Sequence, residues 1–250
     1  MGLRRATGIG IVLLSLGLSG CGTRVLATTP IDAVGMSVAP RNNYETPVSP
    51  QDQQLARSIV NAVDQAYDQL QGFSGTLETI DQTPDKQSTG EAKIAFLKPS
   101  QTRIDVISDS GNPGDAGTKV YWDGGSSVKV RTSGLLSFMT ITLSLTDSRL
   151  ESYNGYTLQQ LNVTTIIKAL NDPQAVLKSL GDQQVDGRTV TVLDLSGVAI
   201  APGVDHLHVG IDHLSRLPIL VEFYQGSQLT YGLRIDNLST QAPQPQDLQI

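Results

Sequence analysis

Three histidines stand close together in "HLHVGIDH", a dense set of groups able to ligate a metal or move a proton. Successive side chains of a strand point to opposite faces, so His206 and His208 share one face with Asp212. His-x-His pairs with a nearby carboxylate do occur in zinc sites. The intervening Leu207, Val209 and Ile211 take the other face, which is the natural core side. This spacing predicts a solvated outer face for His206 and His208, and a turn position for His213. A metal-binding protein using His206 and His208 is the rival reading; neither a metal nor a cofactor is assigned. Other chemistry finds less support. The serines of Gly125-Ser126-Ser127 and Gly226-Ser227-Gln228 lack the Gly-x-Ser-x-Gly elbow. Asp105, Asp109 and Glu222 are scattered, and no glycine-rich phosphate loop is present. Trp122, the single tryptophan, is read as a packing residue. The chain is therefore read as a binding protein and not an enzyme.

The single cysteine, Cys21, excludes an internal disulfide and any Cys-x-x-Cys site. Ahead of it lie Arg4 and Arg5, then an apolar run from Ile9 to Leu18, then small residues. That is the layout of an export signal. Leu18-Ser19-Gly20-Cys21 resembles the bacterial lipoprotein cleavage box. The resemblance implies cleavage before Cys21, a diacylglyceryl thioether on its sulfur and a further acyl chain, such as palmitate, on the new N-terminus. Two or more chains anchor stably where one does not, at ~0.8 kcal/mol per buried CH₂. Gly22, where an Asp would favour inner-membrane retention, implies the outer membrane, with the domain facing the periplasm.

Without Arg4 and Arg5 the basic residues fall from 18 to 16 against 24 acidic ones, a net charge of −8. That balance argues against nucleic acid as a partner and against general attraction to anionic lipid. The segment 21–50 carries Pro30, Pro40, Pro47 and Pro50 without an apolar period, and reads as a lipidated cysteine followed by a tether. As a flexible coil it reaches roughly 30 Å.

A folded domain is expected over 51–240, after the 1–20 signal and before a polar tail at 241–250. Ser49, Pro50 and Asp52 supply a cap, a first-turn proline and a capping-box acid, and predict a helix. Leu55, Ile59, Ala62, Val63, Ala66 and Leu70 form its predicted apolar stripe, with Gly72 at the stop. Strands follow at "FSGTLETIDQ", "GEAKIAFL", "QTRIDVIS" and on both sides of Asp123-Gly124-Gly125. "FMTITLSL" alternates with period two and is read as extended. "TLQQLNVTTIIKAL" is read as a helix, and "QAVLKSL", between Pro173 and Gly181, as a second short one. Four further strands close the domain. The expected class is α+β, mainly β: a curved antiparallel sheet forming a half-open barrel, covered by the N-terminal helix and a helical insertion.

"LQGFSGTLETID", "GEAKIAFLKPSQTRIDV" and "TKVYWDGGSSVKV", with the later "GIDHLSRLPILVEFY", resemble the periplasmic lipoprotein carrier and receptor (Lol-type) superfamily over roughly 51–240. The resemblance implies a cavity that receives acyl chains of lipoproteins or other lipids, for transport or for sensing the state of the envelope. Leu77, Ile94, Phe96, Ile104, Val106, Val120, Val209, Ile211, Val221 and Phe223 are the expected lining. Lys98-Pro99 matches a basic-residue–Pro position at which the carrier has Arg, so Lys98 is a candidate polar contact but lacks the planar fork of Arg. The expected partners are the membrane, through the lipid anchor, an acyl-chain or lipoprotein ligand, and another envelope protein. The alternative to a ligand cavity is a filled core, with the surface acting as an interaction module.

Overall fold

The structure is a computed structural model that describes residues 48–134 and 137–250. The signal, Cys21 and nearly all of the predicted tether lie outside the described residues. Helix α1 spans Pro50–Gln69. It starts as its sequence dictates: Ser49 Oγ accepts a hydrogen bond from the Asp52 amide, and Pro50 fills the first turn. It buries Ala56, Val60 and Val63; of the predicted stripe Val63 and Leu70 are buried, Ile59 and Ala66 pack against the core, and Leu55 is left exposed.

Among the described residues eleven strands follow: β1 (Gly72–Thr83), β2 (Lys86–Leu97), β3 (Gln101–Asp109), β4 (Lys119–Trp122), β5 (Ser127–Arg131), β6 (Thr140–Ser144), β7 (Val176–Val185), β8 (Arg188–Ser196), β9 (His206–Asp212), β10 (Pro218–Gln225) and β11 (Gln228–Ser239). They form one antiparallel sheet in the order β6-β5-β4-β3-β2-β1-β11-β10-β9-β8-β7. Sequence neighbours pair throughout except at the centre, where β1 joins β11 and links the two halves of the chain. The sheet does not close on itself. Its concave face and the buried side of α1 share one apolar core, as the half-open barrel reading expected. Among the described residues, no helix is long and apolar enough to cross a membrane.

The insertion 145–175 crosses the concave side. Helix α2 occupies Val163–Leu170 only, capped by the Asn162 side chain on the Thr164 amide. The predicted helix from Thr157 is thus half its expected length; Thr157 and Gln160 hydrogen-bond locally instead, in a turn. "QAVLKSL" is not a helix. From Val176 it is the start of β7, which pairs with β8 from Val176↔Ser196. Asp172 does use its side chain as a cap would, accepting from the Gln174 amide, but it closes a turn. Gly181, taken as a helix stop, sits at φ +89° beside a register shift after Ser179. It supplies the bulge that lets the strand continue.

A second correction concerns β9. Every residue from His206 to Asp212 is buried, so the predicted solvated face of His206 and His208 does not exist. The strand lies inside the sheet between β8 and β10. Its convex face is covered as thoroughly as its concave face. Gly210 shows how close the packing is there, since a Cβ at this position would meet the Leu220 Cβ at 2.9 Å. The polar tail is also not free. Pro245–Leu248 forms a 3₁₀ turn that buries Leu248, and Arg103 Nη1 donates to the carbonyls of Asp247 and Gln249 at 2.7 Å each.

Candidate functional site

The sheet positions a row of inward apolar side chains across its middle strands. Phe73 and Leu77 come from β1, Ile94 and Phe96 from β2, Ile104 from β3, and Val221, Tyr231, Leu233 and Ile235 from β10 and β11. Facing them across a gap are Leu158, Leu161, Val163 and Ile166, from the turn before α2 and from α2 itself. Between the two layers lies a cavity of about 70 Å³. Phe73 and Phe96 stack at 5.2 Å and floor one end. Thr102 and Asn162 bring side-chain polar groups to the lining, and the Asn162 carbonyl oxygen is already committed to capping α2.

Beside this gap the concave face is filled. Tyr156 stacks on Phe223 at 5.3 Å and meets Tyr231 edge-on, with its hydroxyl 2.8 Å from Thr230 Oγ1. Leu150 is fully enclosed in the same core. The gap thus lies beside a densely filled part of the concave face, and a separate, more polar and more open cavity lies between α1 and the sheet at Ile59, Ala62, Thr191, Ile211, His213 and Arg216.

The roof is held to α1 by polar contacts at its edge. Arg57 donates to three carbonyls: Leu170 at 3.2 Å, Asp172 at 3.2 Å and Ala175 at 2.6 Å. Tyr67 Oη lies 2.8 Å from Thr164 Oγ1, and Asn171 Nδ2 donates to Asp64 Oδ1 at 3.3 Å. Of the three acceptors, the Leu170 carbonyl is one that the end of α2 leaves without a helical partner, and the other two lie in the turn that leads from α2 to β7.

Of the ten residues expected to line a cavity, Leu77, Ile94, Phe96, Ile104 and Val221 face it. Val106, Val120, Val209 and Phe223 lie in the same core but against other side chains, and Ile211 lines the separate cavity beside α1. Lys98 is elsewhere. Its ammonium lies 4.1 Å from the Tyr67 ring centroid and donates to the Tyr67 and Asp68 carbonyls, so it closes the C-terminal end of α1. Trp122 is a core residue, as read from the sequence, with its indole N–H bonded to the Gly125 carbonyl at 2.8 Å. The roof residues Leu158, Leu161, Val163 and Ile166 were missed. Their i, i+3, i+5, i+8 spacing marks an apolar face, but nothing local says which layer that face meets.

Away from the cavity, burial raises several carboxyl pKa values. Asp81 is pushed up to about 6, against the hydrogen bonds it accepts from the Tyr153 amide and the Asn154 side chain. Burial and then the neighbouring Asp109 charge lift Asp115 to about 7. Burial also lifts Asp236 to about 6, opposed by Arg234.

No protein-family model matches the chain, and no curated protein matches it in sequence. Among solved structures it is similar to MucB, with 18% identity over 79% of this chain and 63% of that one, at a TM-score of 0.43. It is similar to the Mycobacterium tuberculosis lipoprotein LppX, with 13% identity over 74% of this chain and 94% of that one, at 0.46. It is also similar to a LolA superfamily protein from Nitrosomonas europaea, with 12% identity over 78% of this chain and 97% of that one, at 0.36. The chain thus spans less than two thirds of the length of MucB.

Proposed function

We propose that this chain is a lipid-anchored protein of the cell envelope, held at the outer membrane through Cys21, that binds acyl chains of lipids or lipoproteins between its sheet and α2. The observation that carries this reading is the apolar gap of about 70 Å³ under Leu161 and Ile166. An interior packed to ordinary density would fill such a gap with a side chain. Its polar neighbours are too few and too occupied to orient a polar substrate. The fit of function to site is binding, for transport or for sensing, and not catalysis.

Size sets a condition on the mechanism. An apolar cavity of about 150 Å³ holds one benzene ring. The gap here is half that, so a long acyl chain enters only when α2 lifts from the sheet. The apolar side chains that α2 uncovers are then re-covered by the ligand at ~0.8 kcal/mol per methylene. The polar contacts of Arg57 and Tyr67 act as the latch. The full chain, purified from a cell envelope, should carry lipid in native mass spectrometry and bind a fluorescent fatty acid saturably. Lipid-free protein with no saturable binding would overturn the reading.

The second reading is an interaction module with a filled core. The insertion of Tyr156 and Leu150 into the concave face favours it, because they leave so little space. On this reading α2 never lifts, and crosslinking in cells captures a protein partner while no lipid co-purifies.

A further inference from the structure

The convex face of the sheet carries chemistry that acyl binding does not use. Asp194 of β8 lies directly opposite His208 of β9, and His206 is two residues along the same strand. All three therefore point to the same face, away from Leu207 and Val209 in the core. One imidazole nitrogen from each histidine and one carboxylate oxygen of Asp194 lie within 4.8 Å of one another. On the other flank of β9, Glu222 is opposite His208 and Tyr224 opposite His206. Glu222 Oε2 is 3.4 Å from His208 Nδ1 and accepts the Tyr224 hydroxyl at 2.9 Å. The Tyr224 ring stacks on His206 at 5.0 Å.

We infer that Asp194, His206 and His208 form a binding site for a divalent transition-metal ion of the zinc class. Two imidazoles and one carboxylate are a zinc ligand set, and the same set excludes the hard calcium and magnesium ions, which want oxygen cages. Tetrahedral coordination with bonds of about 2.0–2.1 Å brings ligand atoms to about 3.3 Å apart. The cluster thus reaches the ion by a contraction that side-chain rotation supplies. Glu222 stands behind His208 as the outer carboxylate that fixes the tautomer and tilt of a ligating imidazole, and Tyr224 fixes Glu222 in turn. Asp194 Oδ1 is shut off from solvent and accepts no hydrogen bond among the described residues, which suits an oxygen waiting for a cation. The ion ties β8 to β9 across their convex face, a structural staple on the side opposite the cavity.

The test uses the full chain, stripped with chelator and titrated with Zn²⁺ alone, then with Co²⁺ for its visible absorption. One equivalent of Zn²⁺ per chain and a tetrahedral-type Co²⁺ spectrum are expected. His206→Gln and Asp194→Asn should each weaken binding at least about tenfold, and His213→Ala should not, because His213 lies apart beside Asp182 and Thr191. Substoichiometric uptake, a Co²⁺ spectrum of the hydrated ion, or binding that both site variants leave intact would overturn the proposal. If His206→Gln fails to fold, the wild-type spectrum and Asp194→Asn decide it. Acyl binding is a separate measurement, and neither result depends on the other.

Discussion

Arg57→Ala separates the two ways in which the cavity could be used. The guanidinium holds three carbonyls at the end of α2 and the start of β7, at 3.2, 3.2 and 2.6 Å. A hydrogen bond to a charged group is worth about 1.5–3 kcal/mol. One half-exposed guanidinium shares its charge among all three acceptors, so about 2 kcal/mol for the set is a fair figure. The contacts to Leu170 and to the Asp172 turn that follows it exist only while α2 is seated. Removing them costs the closed state about 2 kcal/mol and leaves the raised state untouched. The equilibrium between the two shifts by about thirtyfold at 1.4 kcal/mol per factor of ten. If ligand binds only the raised state, its apparent affinity rises by up to the same thirtyfold, because the competent fraction has grown. Global stability moves the other way, with Tm falling by about 4–8 °C at 2–4 °C per kcal/mol. A fluorescent fatty-acid titration beside a thermal melt reads both. Tighter binding from a less stable protein is the expected signature. Binding that weakens along with stability, or does not change, would refute the lifting of α2.

Three further outcomes follow from the same geometry. Ile94→Phe puts added volume into the cavity; acyl binding should drop at least about tenfold, at a stability cost of about 1–3 kcal/mol, as read by the same titration and by urea unfolding. Stability should be greater at pH 5 than at pH 8: the raised pKa values of Asp81, Asp115 and Asp236 make the folded state bind more protons than the unfolded one between about pH 4 and 7, so stability is lost as pH rises through that window. The lowered pKa of His206 acts in the opposite sense below about pH 6.5, but on one group against three. Asp115→Asn keeps an acceptor for the Asn112 amide at 2.8 Å and should flatten part of this dependence in urea melts at pH 5, 6.5 and 8. Leu248→Ala removes a side chain that is 1% exposed and should cost about 2–4 kcal/mol by chemical denaturation, where a free tail would cost nothing.

Legibility in the sequence tracked the range of the interaction that decides each element. The start of α1 was readable because Ser49, Pro50 and Asp52 act on one another within one turn. The β4–β5 hairpin was readable because Asp123 accepts from the Gly125 amide and sets its own turn. The same local rules misread 172–181. An Asp-Pro turn followed by a glycine eight residues after the proline serves a helix or a bulged strand equally well, and the choice fell to pairing with β8. His206, His208 and Glu222 look like outward strand residues in isolation. Their burial comes from Asp194 and Tyr224, which the sheet brings alongside from neighbouring strands. The inner faces of the strands were legible from alternation, and five of the expected lining residues face the cavity. The roof was not, because its contact with β1–β3 joins segments far apart in the chain.

The two faces of β9 bear on the proposed lifting of α2, in which the sheet stays fixed. Towards the concave side, Leu207, Val209 and Ile211 belong to the continuous core. Towards the convex side, His206 and His208 are locked among Asp194, Glu222 and Tyr224 on both flanking strands. Moving any of β8, β9 or β10 would break apolar packing on one side and a buried polar network on the other, and a half-satisfied buried network is costly. Helix α2 has no such double commitment. It buries Ile166, Ile167 and Leu170 on one side, and its polar ties are a guanidinium, a tyrosine hydroxyl and an amide at the edge of the fold. The apolar part of that cost is the part an acyl chain can return, since it covers the same surface. The polar ties are few enough for water to replace. The proposed opening at α2 thus disturbs fewer buried polar contacts than moving β8, β9 or β10 would.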